Sequence, residues 1–107
     1  MTDSNAREIV LVLGAGSWGG ALCQVLSQKG VEIRLWEFDR VEADRLQNER
    51  TLPGKLEGFH LPDAIKVSPN LDELIPGVTA LVFVVPSQFF RTTAQAVKDA
   101  YAGGSIP

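Results

Sequence analysis

Six residues near the amino terminus, Gly14-Ala15-Gly16-Ser17-Trp18-Gly19, have the spacing G-x-G-x-x-G. Where a strand turns directly into a helix, each glycine has its own task. The first permits the tight turn, the second lets backbone approach a pyrophosphate, and the third lets the helix pack closely on the strand. The N–H groups of Ser17, Trp18 and Gly19, backed by the helix dipole, would then hold the phosphates of a dinucleotide. A glycine turn that serves packing alone is the plainer reading. The flanking residues favour the phosphate reading, because a buried-strand signal precedes the motif and an amphipathic helix signal follows it.

A dinucleotide site of this kind also wants an acid about 20 positions on, at the end of the next strand. Glu37 stands 18 positions after Gly19, and Asp39 two further. A carboxylate there accepts hydrogen bonds from ribose hydroxyls and repels a 2′-phosphate, which favours NAD while leaving NADP open. The competing role is capping of the helix that begins near Arg40. For Asp39 the cap is the better reading; for Glu37 both stay open.

Phe89 and Phe90 separate by helical phase. Phe90 heads an apolar stripe through Ala94, Val97 and Tyr101 and is expected in the core. Phe89 lies about 100° away, on a stripe through Thr93, Ala96 and Ala100, just beyond a strand's carboxyl end, where open α/β sheets bind ligands. It is expected either to wall the nicotinamide side of a cofactor or to pack against another part of the protein. Phe38 is a candidate cover for an adenine face, or an ordinary exposed loop aromatic. His60 reads as a solvated loop histidine, Cys23 as core, and Arg50 and Arg91 as surface charges. One histidine and one cysteine give no metal-ligand spacing. No residue is assigned as catalytic.

These residues need elements to position them. Ile9-Val10-Leu11-Val12-Leu13, stopped by Gly14, reads as a strand buried on both faces. Trp18, Leu22, Val25 and Leu26 suggest one buried helical face, closed by Lys29-Gly30. Val31 to Trp36 alternates like a strand. Arg40 to Arg50 suggests a solvated helix whose thin apolar stripe is Val41, Ala43 and Leu46. Residues 51–63 read as a loop, Ile65 to Val67 as a short strand, and Leu71 to Ile75 as at most one helical turn. Ala80 to Val85 is the second strong strand signal, and a helix from Pro86-Ser87 runs to Gly103-Gly104. Alternation of strand and helix specifies βαβ units around a mostly parallel sheet.

The composition narrows the field. The chain has 107 residues, a net charge of −3 and 45% hydrophobic residues, an ordinary globular balance. Net negative charge offers nothing to nucleic acid or an anionic membrane. One cysteine excludes an intramolecular disulfide framework. The polar start, Met1 to Asn5, lacks a signal core, and the longest apolar run, Ala80 to Pro86, is far short of the roughly 18 residues of a membrane span. A soluble, cytoplasmic protein is the expectation.

Taken in order, the glycine motif, Leu35-Trp36 with Phe38-Asp39, Leu52-Pro53-Gly54, Leu61-Pro62 and Val84-Val85-Pro86-Ser87-Gln88 with Arg91 resemble one family. It is NAD(P)-dependent glycerol-3-phosphate dehydrogenase, in its amino-terminal domain, and the resemblance covers nearly the whole chain. It implies hydride transfer between glycerol 3-phosphate and dihydroxyacetone phosphate, supplying phospholipid synthesis, and dinucleotide contacts from the glycine turn, Phe38 and Phe89. Two features depart from the pattern. Six residues, Lys55 to His60, separate the two Leu-Pro elements, and Glu37 and Phe38 stand where many bacterial members have a small and a basic residue. The family's first active-site lysine would fall beyond Pro107.

The expected fold is therefore an α/β, Rossmann-type doubly wound parallel sheet, incomplete at its first four strands in the order 3-2-1-4. Residues 1–107 would form an NAD-binding domain fragment without its substrate domain. The Ala80–Val85 strand would leave an exposed edge, suited to a homodimer. The alternatives are another dehydrogenase of hydroxyacid or ketol-acid type and an NAD(H)-sensing module without chemistry.

Overall fold

A computed structural model describes residues 8–52 and 58–101. Pro53-Gly54, the first half of the Lys55–His60 spacer and Gly103-Gly104 lie outside them. Four strands, β1 (Ile9–Leu13), β2 (Glu32–Trp36), β3 (Lys66–Ser68) and β4 (Ala80–Phe83), form one parallel sheet in the order β3-β2-β1-β4. The helices are α1 (Gly16–Ser27), α2 (Arg40–Glu49), the single turn α3 (Leu71–Leu74) and α4 (Phe90–Ala100). A 3₁₀ turn, Ser87–Phe89, leads into α4. Strand order and element sequence agree with the expectation. β3 is displaced by one residue, and β4 ends two residues early.

The sheet alternates its side chains between two cores. Val10, Val12, Ile33 and Leu35 meet Cys23 of α1, Ala43 and Leu46 of α2, and Leu52, Phe59 and Leu61 from the connection to β3. Leu11, Leu13 and Trp36 meet Leu71, Leu74, Ile75 and Val97 on the other face. Burying each such large aliphatic contributes about 1.5–3 kcal/mol. The polar half of β2 also has a structural reason. Arg34 donates to the carbonyls of Leu74 (2.7 Å) and Pro76 (2.6 Å), satisfying acceptors at the end of α3.

Four packing expectations need correction. On α1 the buried face is Gly19, Gly20 and Cys23, while Trp18 is 82% and Val25 51% exposed. Close approach to the glycine turn requires small side chains, and that rotates the inner face one residue, about 100°, from the most hydrophobic stripe. Val41 is likewise exposed, leaving Ala43 and Leu46 as the inner face of α2. Arg50 is buried, in the left-handed cap of α2 (φ 66°), and donates to the carbonyls of Pro62 and Ile65. On α4 the buried residues are Thr93 and Val97, with Ala96, Ala100 and Tyr101 packed beside them. Phe90 is half-exposed and rests on Phe83 at the sheet edge, ring centroids 4.9 Å apart.

Candidate functional site

The site begins at the carboxyl end of β1. Gly14 has φ 118°, and its N–H donates to the carbonyl of Trp36. A β-carbon at Gly14 would meet the Val84 carbonyl oxygen at 2.8 Å, so the turn lies directly against the chain leaving β4. One at Gly16 (φ 90°) would meet nothing within 4 Å, which leaves the backbone open there. One at Gly19 would collide with the carbonyl of Gly14. The tight turn, open approach and close packing expected of the three glycines are thus all present. The residue at the N-cap of α1, Ala15, has no capping side chain, and no acid stands in the first turn, so the N–H groups and positive dipole end there suit an anion.

Beside this turn lies a crevice of about 520 Å³, within the size range of small-molecule sites. Its walls are Gly14 and Ala15, Trp36 to Phe38 at the end of β2, Val84 to Pro86 after β4, and Phe89, Thr92, Thr93 and Ala96. The lining is mainly apolar. Trp36 forms a fixed wall, its indole N–H donating to the Pro69 carbonyl at 2.9 Å. Phe38 stands largely in solvent, its ring centroid 6.3 Å from that of Trp36.

Among the described residues Glu37 is the one ionisable residue in the lining. Its carboxylate accepts from the N–H of Asp39 (3.0 Å). Burial pushes its pKa up, and the charges of Glu42 and Asp39 push the same way. Asp39 has the expected capping role: its Oδ1 accepts from the N–H groups of Val41 and Glu42 at the start of α2. Glu37 is not that cap.

Among the residues singled out from sequence, Gly14, Ala15, Glu37, Phe38 and Phe89 converge on this crevice. Gly16, Ser17, Trp18 and Gly19 form the turn and first helical turn beside it. Trp36, Val84 and Thr92 were not singled out as lining. For Trp36 and Val84 the signal was positional, since one ends and the other follows a parallel strand on the carboxyl side. His60 is exposed and faces Asp63 at 3.4 Å, away from the crevice. Cys23 is buried, its thiol pushed up to about 12 by desolvation, which suits packing and not nucleophilic chemistry. Among the described residues no cluster of His, Cys, Asp and Glu could hold a metal ion, and no helix is long and apolar enough to cross a membrane.

A parallel α/β sheet with a crevice at its switch point, between β1 and β4, is a Rossmann-type unit. Residues 9–106 match the family model described as the N-terminus of NAD-dependent glycerol-3-phosphate dehydrogenase, and the chain belongs to that family. It is 39% identical over 97 residues to the glycerol-3-phosphate dehydrogenase (NAD(P)+) of Chlorobium chlorochromatii, covering 91% of this chain and 29% of the relative. It is 37% identical to that of Hydrogenovibrio crunogenus, covering 96% of this chain and 30% of the relative. The crystal structure of glycerol-3-phosphate dehydrogenase from Coxiella burnetii superposes with a TM-score of 0.80 at 34% identity, over 88% of this chain and 29% of that one. The chain therefore spans under a third of the length of these relatives.

Proposed function

We propose that the crevice binds the adenosine half of NAD(H) or NADP(H), and that residues 1–107 are the cofactor-binding part of an enzyme interconverting glycerol 3-phosphate and dihydroxyacetone phosphate. The observation that carries this reading is the uncapped start of α1, beside a crevice that pairs an anchored carboxylate with apolar walls. The pyrophosphate would lie on the N–H groups of the Gly14–Gly19 turn. Glu37 would accept from the adenosine ribose. Phe38 and Phe89 would flank the adenine, with Thr92 offering a hydroxyl at its edge. The sequence left Phe89 either to wall the nicotinamide side or to pack against another part of the protein; its sharing of one crevice with Glu37 supports the adenosine side instead.

When bound, the nicotinamide supplies or accepts the hydride. This chain's residues bind and orient the cofactor. The small phosphorylated substrate and the proton transfer would fall to a substrate domain, in keeping with the share of the relatives that the chain spans. The wider role is supply of phospholipid precursors in the cytoplasm. β4 pairs with β1 alone among the described residues, and Leu81 on it is 36% exposed. In this chain by itself that free edge would pair with β4 of a second copy.

Titration of the purified chain with NADH, followed by its fluorescence, tests the binding reading. Saturable binding, lost in Gly16→Val, is expected. A folded chain that ignores NADH defeats the reading. Turnover of dihydroxyacetone phosphate by the 107 residues alone would defeat the division of labour.

A further inference from the structure

The relatives carry both NAD and NADP in their names, so membership of the family does not say which adenosine ribose this chain accepts. Three features of the crevice bear on the choice. Glu37 lines the crevice beside Ala15 of the glycine turn, and its carboxylate is held by the Asp39 N–H at the start of α2. To swing clear of a ligand it would have to give up that hydrogen bond and expose its donor. Asp39 and Glu42, in the same stretch of chain, add their negative charge to its surroundings.

The third feature concerns cations. Recognition of a 2′-phosphate calls for a nearby arginine. Arg40, three residues after Glu37, turns its guanidinium to the side-chain oxygen of Asn70 at 3.4 Å. Arg45 is bound to Glu42 and Glu49. Opposite Glu37, the wall from Val84 to Pro86 and from Phe89 to Ala96 contributes no charged lining residue. Beneath it, the Ser68 carbonyl of β3 accepts the Glu37 N–H.

We propose that Glu37 is the specificity-determining residue of this chain, selecting a dinucleotide with a free 2′-hydroxyl and rejecting one with a 2′-phosphate. The proposal rests on the reading of the crevice as an adenosine site. Like charges set face to face across a desolvated contact repel, whereas a ribose hydroxyl donates to the same carboxylate. The selection is also coupled to pH. Burial and the two neighbouring acids favour the protonated form of Glu37, so the repulsion fades on acidification sooner than it would for an exposed carboxylate.

Binding of NADH and of NADPH to the purified chain, at pH 8 and at pH 5.5, tests the proposal in wild type, Glu37→Gln and Glu37→Ser. Thermal unfolding confirms that each variant is folded. At pH 8 the wild type should prefer NADH by at least about tenfold, and both variants should lose most of that preference through tighter NADPH binding. The 2′-phosphate titrates near pH 6 itself, so the change with pH that survives in Glu37→Gln belongs to the ligand. The excess in wild type belongs to Glu37. Equal wild-type affinities at pH 8, or a preference unchanged in both variants, overturn the proposal while leaving dinucleotide binding intact. A folded wild type that binds neither nucleotide overturns the adenosine reading and this proposal with it.

Discussion

β1 and β4 are almost equally apolar, yet they live in different surroundings. β1 lies between two strands and under helices on both faces; Leu11, Val12 and Leu13 are inaccessible to solvent. Among the described residues β4 has one neighbour, and none of its own four residues is fully buried. The same contrast holds for the attached helices. α2 is capped by Asp39 and seats Ala43 and Leu46 in a closed core, while α4 has no side-chain cap and begins with two half-exposed phenylalanines. One flank of the sheet is a finished interior and the other an open one. The crevice straddles them, with Glu37 on the finished side and Phe89 on the open side.

The largest effect should come from setting the two strands against each other. Leu13→Ala removes a side chain packed on all sides and should cost about 2–5 kcal/mol of unfolding free energy. Leu81→Ala, its counterpart in exposure, should cost less than about 1 kcal/mol. Urea denaturation of the two variants measures both. Equal losses would mean that the β4 flank is as closed as the rest.

That asymmetry was only half legible in the sequence. Periodicity is a local property, and Ile9–Leu13 and Ala80–Val85 give the same buried-strand signal. Whether such a strand is flanked on one side or two depends on chain far away. The glycine turn was legible because its spacing carries its own geometry, and as a dinucleotide signature it implies the strand order 3-2-1-4. The inner face of α1 was misread because Gly19 and Gly20 contribute little hydrophobicity, although they allow the closest contact. Arg50 was misread for another reason: its partners are the carbonyls of Pro62 and Ile65, 12 and 15 residues on, and nothing near it announces them. In the crevice, Glu37 and Phe89 were found by position after a strand. Thr92 was passed over because helical phase alone does not reveal which side a neighbouring turn leaves open.

A middle-sized effect separates stability from binding on the two flanks. Asp39→Ala strips the start of α2 of the acceptor for two N–H groups and should cost about 1 kcal/mol. Phe89→Ala, at a half-exposed site without a capping bond, should change unfolding by less than about 0.5 kcal/mol. It should nevertheless weaken NADH binding several-fold, as read by titration. A Phe89 variant that loses stability and keeps its affinity would assign that ring to packing. Smaller again in stability is Leu81→Lys, which charges the free edge of β4. Unfolding should shift by no more than about 0.5 kcal/mol, while self-association, followed by sedimentation, should disappear.

The smallest effect is one of pH, and it sets two carboxylates of opposite behaviour against each other. Desolvation first, then Glu42 and Asp39, raise the folded-state pKa of Glu37, so protonation favours the folded chain. Its stabilising contribution is complete below the unfolded value, about 4.3. That contribution is lost as pH rises through the folded value. Glu73 runs the other way. Hydrogen bonds from Asn70 and Ser68 lower its pKa, so its contribution is present above the unfolded value and fades as pH falls through the folded one. Glu73 is exposed, so solvent damps its effect. Melting temperatures of wild type, Glu37→Gln and Glu73→Gln between about pH 3 and pH 8 should therefore diverge in opposite directions. Wild type should lose ground to Glu37→Gln as pH rises, and to Glu73→Gln, more weakly, as pH falls. A wild-type–Glu37→Gln difference that stays flat would mean that the crevice is wetter than its apolar walls imply, and that the carboxylate sits there without strain.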